Sequence, residues 1–344
     1  DPFPWTHEQA SGAAYSCQYM ADLMMSMGNK VSFATNITGS KDVKTDRTIY
    51  FLSDSHSKEM LVDFHVMLQI NRLIKTHKFD CVHLFTKKYL FPALMACLLH
   101  KQVQVRYSVV DYHMFCKKNI LRCSHGFCNG KRKSLFCRIR QMYMNYFLRR
   151  VERFWTFTGL SEERMCKFGV NKSKILALYQ YDIIHDVVKQ DLSHPAVVFI
   201  GSIFPHKGVD IVIDAFSKVL KQLPSVHLYL VGGGDEGLKR SYQFEVAWDG
   251  FDDRVHWLGN LAHGEALGVL SEADVAVVSE QWYSDFGPLT AYEAYSLGIP
   301  LVAGDLGASY MWTDRIVKHD DSEGYAKKII DVFKEKEIEE WEKN

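Results

Sequence analysis

No segment of this 344-residue sequence is apolar for long enough to cross a bilayer. The best candidate, LFPALMACLLH, stops short of the roughly twenty residues a spanning helix needs. Net charge is also missing: 41 lysines and arginines balance 41 aspartates and glutamates, so no global field points to nucleic acid. Nothing at the start reads as a secretory signal, which predicts a cytoplasmic protein with reduced thiols. No Cys-x2-Cys knuckle occurs among the eight cysteines, and no repeat or low-complexity tract interrupts the chain before its charged tail. An opening strand is absent too. The chain begins DPFPW, whereas a doubly wound domain normally starts with an apolar strand, so that strand is predicted to precede residue 1.

What is present is length for two domains, each with its own core, and a regular alternation in the second half. VVFIGSIFPHKGVDIVIDAFSKVL (197–220) reads strand, loop, helix. VHLYLVGGG (226–234) reads as a strand entering a glycine-rich turn, and RVHWLGNL and ADVAVVS read as further strands. This spacing predicts a parallel, doubly wound sheet, which binds ligands at the carboxyl ends of its strands.

The most informative stretch is EQWYSDFGPLTAYEAYSLGIPLVAGDLG (280–307). Two acids, Asp285 and Glu293, are separated by seven residues. Between them Gly287 and Pro288 lead into a helix that Gly298 is placed to end. A helix start with free N–H groups and the positive end of a dipole suits a phosphate or diphosphate. The acids fall just before and one to two turns inside that helix.

These residues resemble the acid-x7-acid signature of the retaining GT-B glycosyltransferases of the family-4 type, with Asp285 at the first acid and Glu293 at the second. The resemblance implies that Asp285 lies near the donor sugar hydroxyls, Glu293 near the nucleotide ribose, and the N–H groups of Phe286, Gly287 and Leu289, around Pro288, by the diphosphate. The family's Gly-Arg-x4-Lys-Gly pattern is matched by Gly201, Lys207 and Gly208, with Ser202 where the arginine should stand. One phosphate cation is therefore missing from its usual place. Gly233 would bring backbone close to the ligand, and backbone near His256 to Gly259 would meet the base. His256 and Trp257 read equally well as packing residues.

The first half resembles the family more loosely. QASGAAYSCQYMADLMMSMGNKVSFAT reads loop, helix, strand, with Gly12, Ala13 and Ala14 in place of paired glycines on the acceptor side. DCVHLF (80–85) and VQVRYSVVDYHMF (103–115) read as buried strands. Where relatives often place His-Asp, this chain has Val110-Asp111, with His113 two residues on. Strand alternation would put 111 and 113 on one face, making His113 a stand-in. Ser161 reads as the N-cap of the helix at SEERM, although Arg164 stands where the reciprocal acid of a capping box belongs.

Cys116, Cys123, Cys128 and Cys137 fall within 22 residues. Free thiols, two disulfides and zinc remain open, in that order. The segment resembles the Cys-rich lid that some family-4 enzymes carry just after the Asp-bearing strand, and Gly126, Asn129 and Gly130 suit a mobile flap. The segment 116–153 is strongly basic, and MYMNYFLRRVERFWTF adds aromatics at helical spacing. A solvated face over an aromatic core stripe is the common reading, and docking on anionic lipid is another. No RNA-binding motif accompanies it.

The expectation is a GT-B, α/β enzyme. It comprises a Rossmann-like acceptor domain (1–188), a nucleotide-sugar domain (196–321) and a terminal helix (322–344) that in this fold commonly returns to the first domain. It would move a sugar from a UDP- or GDP-linked donor to a glycan or lipid-linked hydroxyl with retention. Asp285, Glu293, Asp111 and His113 would act at the sugar. No Asp-x-Asp is present, so neither a metal nor another cofactor is expected. Rivals are a catalytically weakened GT-B partner, argued from Ser202 and Val110, and a sugar-nucleotide epimerase on the same fold.

Overall fold

A computed structural model describes residues 12–35, 48–52, 63–85, 90–112, 114–116, 122–123, 126–127, 135–177, 184, 186–282 and 285–343. It divides into two compact units, Asp1–Gln180 and Tyr181–Asn344.

The first unit runs α1 (Gly12–Ser26), β1 (Ser32–Thr35), β2 (Thr48–Phe51), α2 (Phe64–His77), β3 (Cys81–Leu84), α3 (Leu90–Leu98), β4 (Gln104–Ser108), β5 (Arg122–Cys123), β6 (Gly126–Phe127), α4 (Leu135–Leu148), β7 (Arg153–Thr156), α5 (Gly159–Lys167) and β8 (Ile175–Ala177). Strands β3-β4-β7-β8 form a parallel sheet, and β1 pairs with β2 in a separate parallel pair. Helix α2 forms because Val66, Ile70 and Ile74 recur on one face and are buried. Asp63 caps it, accepting from Val66 N–H at 3.1 Å.

Three expectations in this unit need correction. The strand read at 103–115 ends at Ser108, because beyond it the chain turns, with Phe115 and Cys116 N–H both donating to Tyr112 O. Strand alternation therefore cannot pair 111 with 113, and His113 lies outside the described residues. The aromatic run after Met142 is not one helix: α4 stops at Leu148 and RFWT is strand β7, paired with both β4 and β8. Thr158, not Ser161, caps α5. It accepts from Ser161 N–H at 3.1 Å, while the Ser161 hydroxyl is fully buried among Thr156 and Thr158. Part of the Cys-rich segment forms a short antiparallel hairpin, β5 with β6. Cys116 is half-buried and Cys137 is exposed on α4; Cys128 and the Cys123 side chain lie outside the described residues.

The second unit runs β9 (Ala196–Ile200), α6 (Val209–Leu220), β10 (His227–Val231), α7 (Glu236–Trp248), β11 (Val255–Gly259), α8 (His263–Ser271), β12 (Val275–Val278), α9 (Leu289–Ser296), β13 (Leu301–Gly304), β14 (Ile316–Val317) and α10 (Ser322–Lys343). All six strands are parallel, in the order β11-β10-β9-β12-β13-β14. The strands are apolar on both faces because helices cover both. Val197, Phe199, Val275, Val277 and Val302 pack with Phe216 of α6 and Tyr325, Ile329 and Phe333 of α10. Ala196, Val198, Ala276, Val278 and Ala303, mostly smaller, face α8 and α9. The small residues let α9 sit close to the sheet. Residues 186–190 lie along α8, where Val188 N–H donates to Gly264 O at 2.9 Å.

Candidate functional site

The strand order within the second unit is that of a Rossmann sheet, reversing between β9 and β12, and that reversal opens a crevice at their carboxyl ends. The expected donor residues gather there. Past β9, Gly201 N–H donates to Val231 O and Ile203 N–H to Gly233 O (2.9 and 2.8 Å), so the Gly201–Ile203 loop runs alongside the glycine turn after β10. Ser202 lies in this loop and Lys207 follows it. The Lys207 backbone is fixed from β12: Ser279 Oγ donates to the carbonyls of Lys207 and Gly208, each at 2.9 Å. Gly208 has φ 68°, and a Cβ there would lie 2.1 Å from Ser279 O, so no other residue fits this turn.

Past β12, Asp285 is fully buried and Phe286 and Gly287 lead into α9. Pro288 is the N-cap rather than a residue of the first turn. Gly287 has φ 81° and packs so tightly under Trp312 that a Cβ would fall 2.3 Å from the indole. Thr290 Oγ1 donates to Ile200 O at 3.1 Å and ties the first turn of α9 to the end of β9. Glu293, one turn in, is buried, and its carboxylate meets His263 Nε2 at 2.7 Å. His263 opens α8 after β11, so a histidine and an acid from separate crossovers converge.

Two side chains that the sequence reading passed over belong here. Glu280 lies two residues past the end of β12, is buried, and forms an ion pair with Lys207. Trp282 stands with its ring 5.5 Å from the Lys207 ammonium. A charged residue at the end of an all-apolar strand was the available signal for Glu280. His263 carried no comparable signal, because its partner is thirty residues away. Nearby, burial and the Lys207 charge hold His206 below the usual imidazole range, against the opposing pull of Glu280. His256 stacks on Tyr229 (4.5 Å between centroids) and meets His227 Nδ1 at 3.0 Å, so its side chain is committed to the sheet surface.

The comparisons with known proteins bear on this unit most directly. Residues 194–335 match the model of glycosyl transferases group 1. These residues form a glycosyl transferases group 1 domain. The phosphatidyl-myo-inositol mannosyltransferase of Mycolicibacterium smegmatis is 27% identical over 148 residues, 41% of this chain and 37% of the relative. The mannosylfructose-phosphate synthase of Agrobacterium fabrum is 30% identical over 112 residues, 31% and 24%. The matches thus span well under half of either relative. Solved structures resemble far more of the chain. HepE from Anabaena, solved in complex with UDP and glucose, has a TM-score of 0.73 at 16% identity, covering 96% of this chain and 89% of that one. WaaG, a glycosyltransferase of lipopolysaccharide biosynthesis, has a TM-score of 0.68 at 14% identity, covering 96% and 88%. At such identities the likeness is one of fold, and the expectation of a GT-B fold is met.

The other expected site residues lie in the first unit. Gly12 opens α1, and Asp111 follows the end of β4, close enough to the buried Tyr107 that its charge adds to burial in raising that phenol's pKa. Among the described residues, no group of three His, Cys, Asp or Glu side chains could hold a metal ion.

Proposed function

We propose that the protein is a glycosyltransferase that moves a sugar from a nucleotide-sugar to a hydroxyl acceptor with retention at the anomeric carbon. The observation that carries this is the group 1 domain's switch point, where Lys207, the start of α9 and Glu293 meet at the carboxyl ends of β9 and β12. Sugar transfer needs a stabilised diphosphate leaving group beside a cationic sugar. Lys207, backbone N–H groups and the positive end of the α9 dipole supply that stabilisation. Glu293, held by His263, is the group for the ribose hydroxyls, and Asp285 faces the sugar. This chemistry asks for no metal, so chelator should leave transfer unchanged.

The test is a thermal-shift panel of UDP- and GDP-sugars, since a ligand that binds the native state raises its melting point. Lys207→Ala should abolish binding of the nucleoside diphosphate and spare the nucleoside, and Ser202→Arg should tighten the diphosphate. If neither variant separates diphosphate from nucleoside, the phosphate site is wrongly assigned. The pairing of Lys207 with Glu280 favours one other reading, a weakened GT-B subunit that binds the donor without transferring it. Binding without turnover would select it.

The acceptor we read as lipid-linked, reached by peripheral contact with a membrane. Helix α4 buries Met144 and Phe147 but exposes Leu135 (73%), Ile139 (55%), Met142 (74%) and Tyr146 (61%), one stripe at helical spacing, with Arg138 and Arg149 also exposed. An apolar stripe with cations beside it suits an anionic interface. No helix among the described residues is long and apolar enough to cross the bilayer. Co-sedimentation with phosphatidylglycerol vesicles, lost in the Leu135→Ser, Ile139→Ser, Met142→Ser triple variant and absent with neutral vesicles, is the expected result. No sedimentation by the wild type would leave a soluble glycan as acceptor.

A further inference from the structure

At the switch point, two buried polar atoms of opposite character stand without a partner. Glu280 is 6% exposed; its Oε1 takes the Lys207 ammonium, while its Oε2 is buried and unbonded. Two residues on, Trp282 Nε1 is likewise buried and unbonded. The indole is not loose: His206 meets it edge-on at 5.1 Å between centroids, and the Lys207 ammonium lies 5.5 Å from its centre. Gln281, between the two, is anchored by its own N–H to His206 O at 2.8 Å. Native proteins leave few buried polar atoms unpaired, and those that remain call for an explanation.

A carboxylate oxygen can only accept a hydrogen bond, and an indole N–H can only donate one. A hydroxyl does both. A phosphate oxygen would suit the indole, but it would bring its charge against the Glu280 carboxylate. A sugar hydroxyl brings no charge. Lys207 fixes which part of the ligand reaches this point, because the sugar is bonded directly to the phosphate that Lys207 would hold, whereas the ribose and base lie at the far end. We propose that Glu280 and Trp282 together bind one hydroxyl of the transferred sugar, which donates to Glu280 Oε2 and accepts from Trp282 Nε1. The pair thus selects the donor sugar, in addition to the acid-x7-acid residues. The assignment rests on the nucleotide-sugar reading given above. It also gives the Lys207–Glu280 pair a purpose: the lysine that would hold the phosphate orients the acid that reads the sugar.

The test compares sugar-bearing with bare nucleotides by calorimetric titration: UDP-glucose and GDP-mannose against UDP and GDP. In Glu280→Gln, the amide turns its oxygen to Lys207 and presents a donor where the free acceptor stood. In Trp282→Phe, the ring stays and the N–H is lost. Each variant should weaken the preferred nucleotide-sugar roughly tenfold to a hundredfold. Bare nucleotide should bind unchanged, or more tightly in Glu280→Gln, where a charge competing for Lys207 is gone. Among monodeoxy analogues of the preferred donor, one should bind the wild type weakly and lose nothing further in either variant, since the mutation and the missing hydroxyl remove the same contact. If sugar-bearing and bare nucleotides weaken in parallel, Glu280 serves only to position Lys207 and the proposal falls. It falls equally if the nucleotide-sugar keeps its wild-type affinity in both variants. If a melting curve shows that Glu280→Gln does not fold, Trp282→Phe decides alone. A wild type that binds bare nucleotide but no nucleotide-sugar overturns the proposal together with the transferase reading. A wild type that prefers nucleotide-sugar, with variants that prefer it equally, overturns the proposal alone.

Discussion

The two units bury polar groups to different ends. In the first, the buried ones are distributed through the framework. Ser108, Thr156, Thr158 and Ser161 surround β4, β7 and the start of α5, and Arg140 of α4 donates to Met114 O at 3.0 Å. Each is partnered within the unit: Ser108 by His83 Nε2 at 2.9 Å, and the others by backbone or a neighbouring hydroxyl. In the second unit, the buried acids Glu280, Asp285 and Glu293 fall within fourteen residues, at one end of one sheet. Their known partners are a lysine and a histidine from other crossovers, and one carboxylate oxygen has none. A framework polar group is fully partnered within the fold. A cluster of acids at a switch point, partly unsatisfied, is arranged for something that arrives from outside.

That contrast can be broken most sharply at Glu293. Glu293→Ala should weaken nucleotide-sugar binding by about 1.5–3 kcal/mol, or one to two decades, with little change in melting temperature. Unchanged donor affinity beside a large loss of stability would make Glu293 a framework residue like those of the first unit.

Arg140→Met is the converse experiment. It leaves the Met114 carbonyl without its buried donor, so stability should fall by about 1–3 kcal/mol in denaturant titration. Nucleotide affinity should stay at the wild-type value, and a loss of it would erase the distinction between the units.

The smallest effect is on pH dependence. In the first unit, burial and then the Arg106 charge push His83 down to about 3. In the second, burial is the leading cause of the lowered values of His206, His227 and His256. A histidine with its pKa depressed in the folded state binds fewer protons there than in the unfolded chain. Its contribution is therefore complete above the unfolded value near 6.5, and is lost as pH falls below it, down to about 3 for His83. The slope is at most about 1.4 kcal/mol per pH unit for each group. Unfolding free energies at pH 7.5 and 5.5 should show this loss. His83→Gln should flatten part of it, and an unaltered slope would remove His83 from the account.

The family resemblance implied that Gly201, Lys207 and Asp285 to Leu289 gather around the donor, while period and punctuation in the sequence were enough to give the parallel alternation of the second unit, its helix start at Pro288 and the helix end before Gly298. Those features depend on residues near one another in the chain: apolar runs of strand length, a proline before a helix, a glycine after one. The first unit was harder to read, since strands such as QVRYS and RFWT mix apolar with charged residues. The strand at 103–115 was read too long, and a strand was taken for helix, because pairing with β4 and β8, not local propensity, decides the state of RFWT. What tertiary structure alone decided was partnership. Lys207 with Glu280 spans 73 residues and His263 with Glu293 spans thirty, and both depend on strand order, which places sequence-distant β9 and β12 side by side. The chain specifies which residues carry charge. Only the reversal of strand order brings the charges of separate crossovers to one crevice, where burial sets how each of them is used.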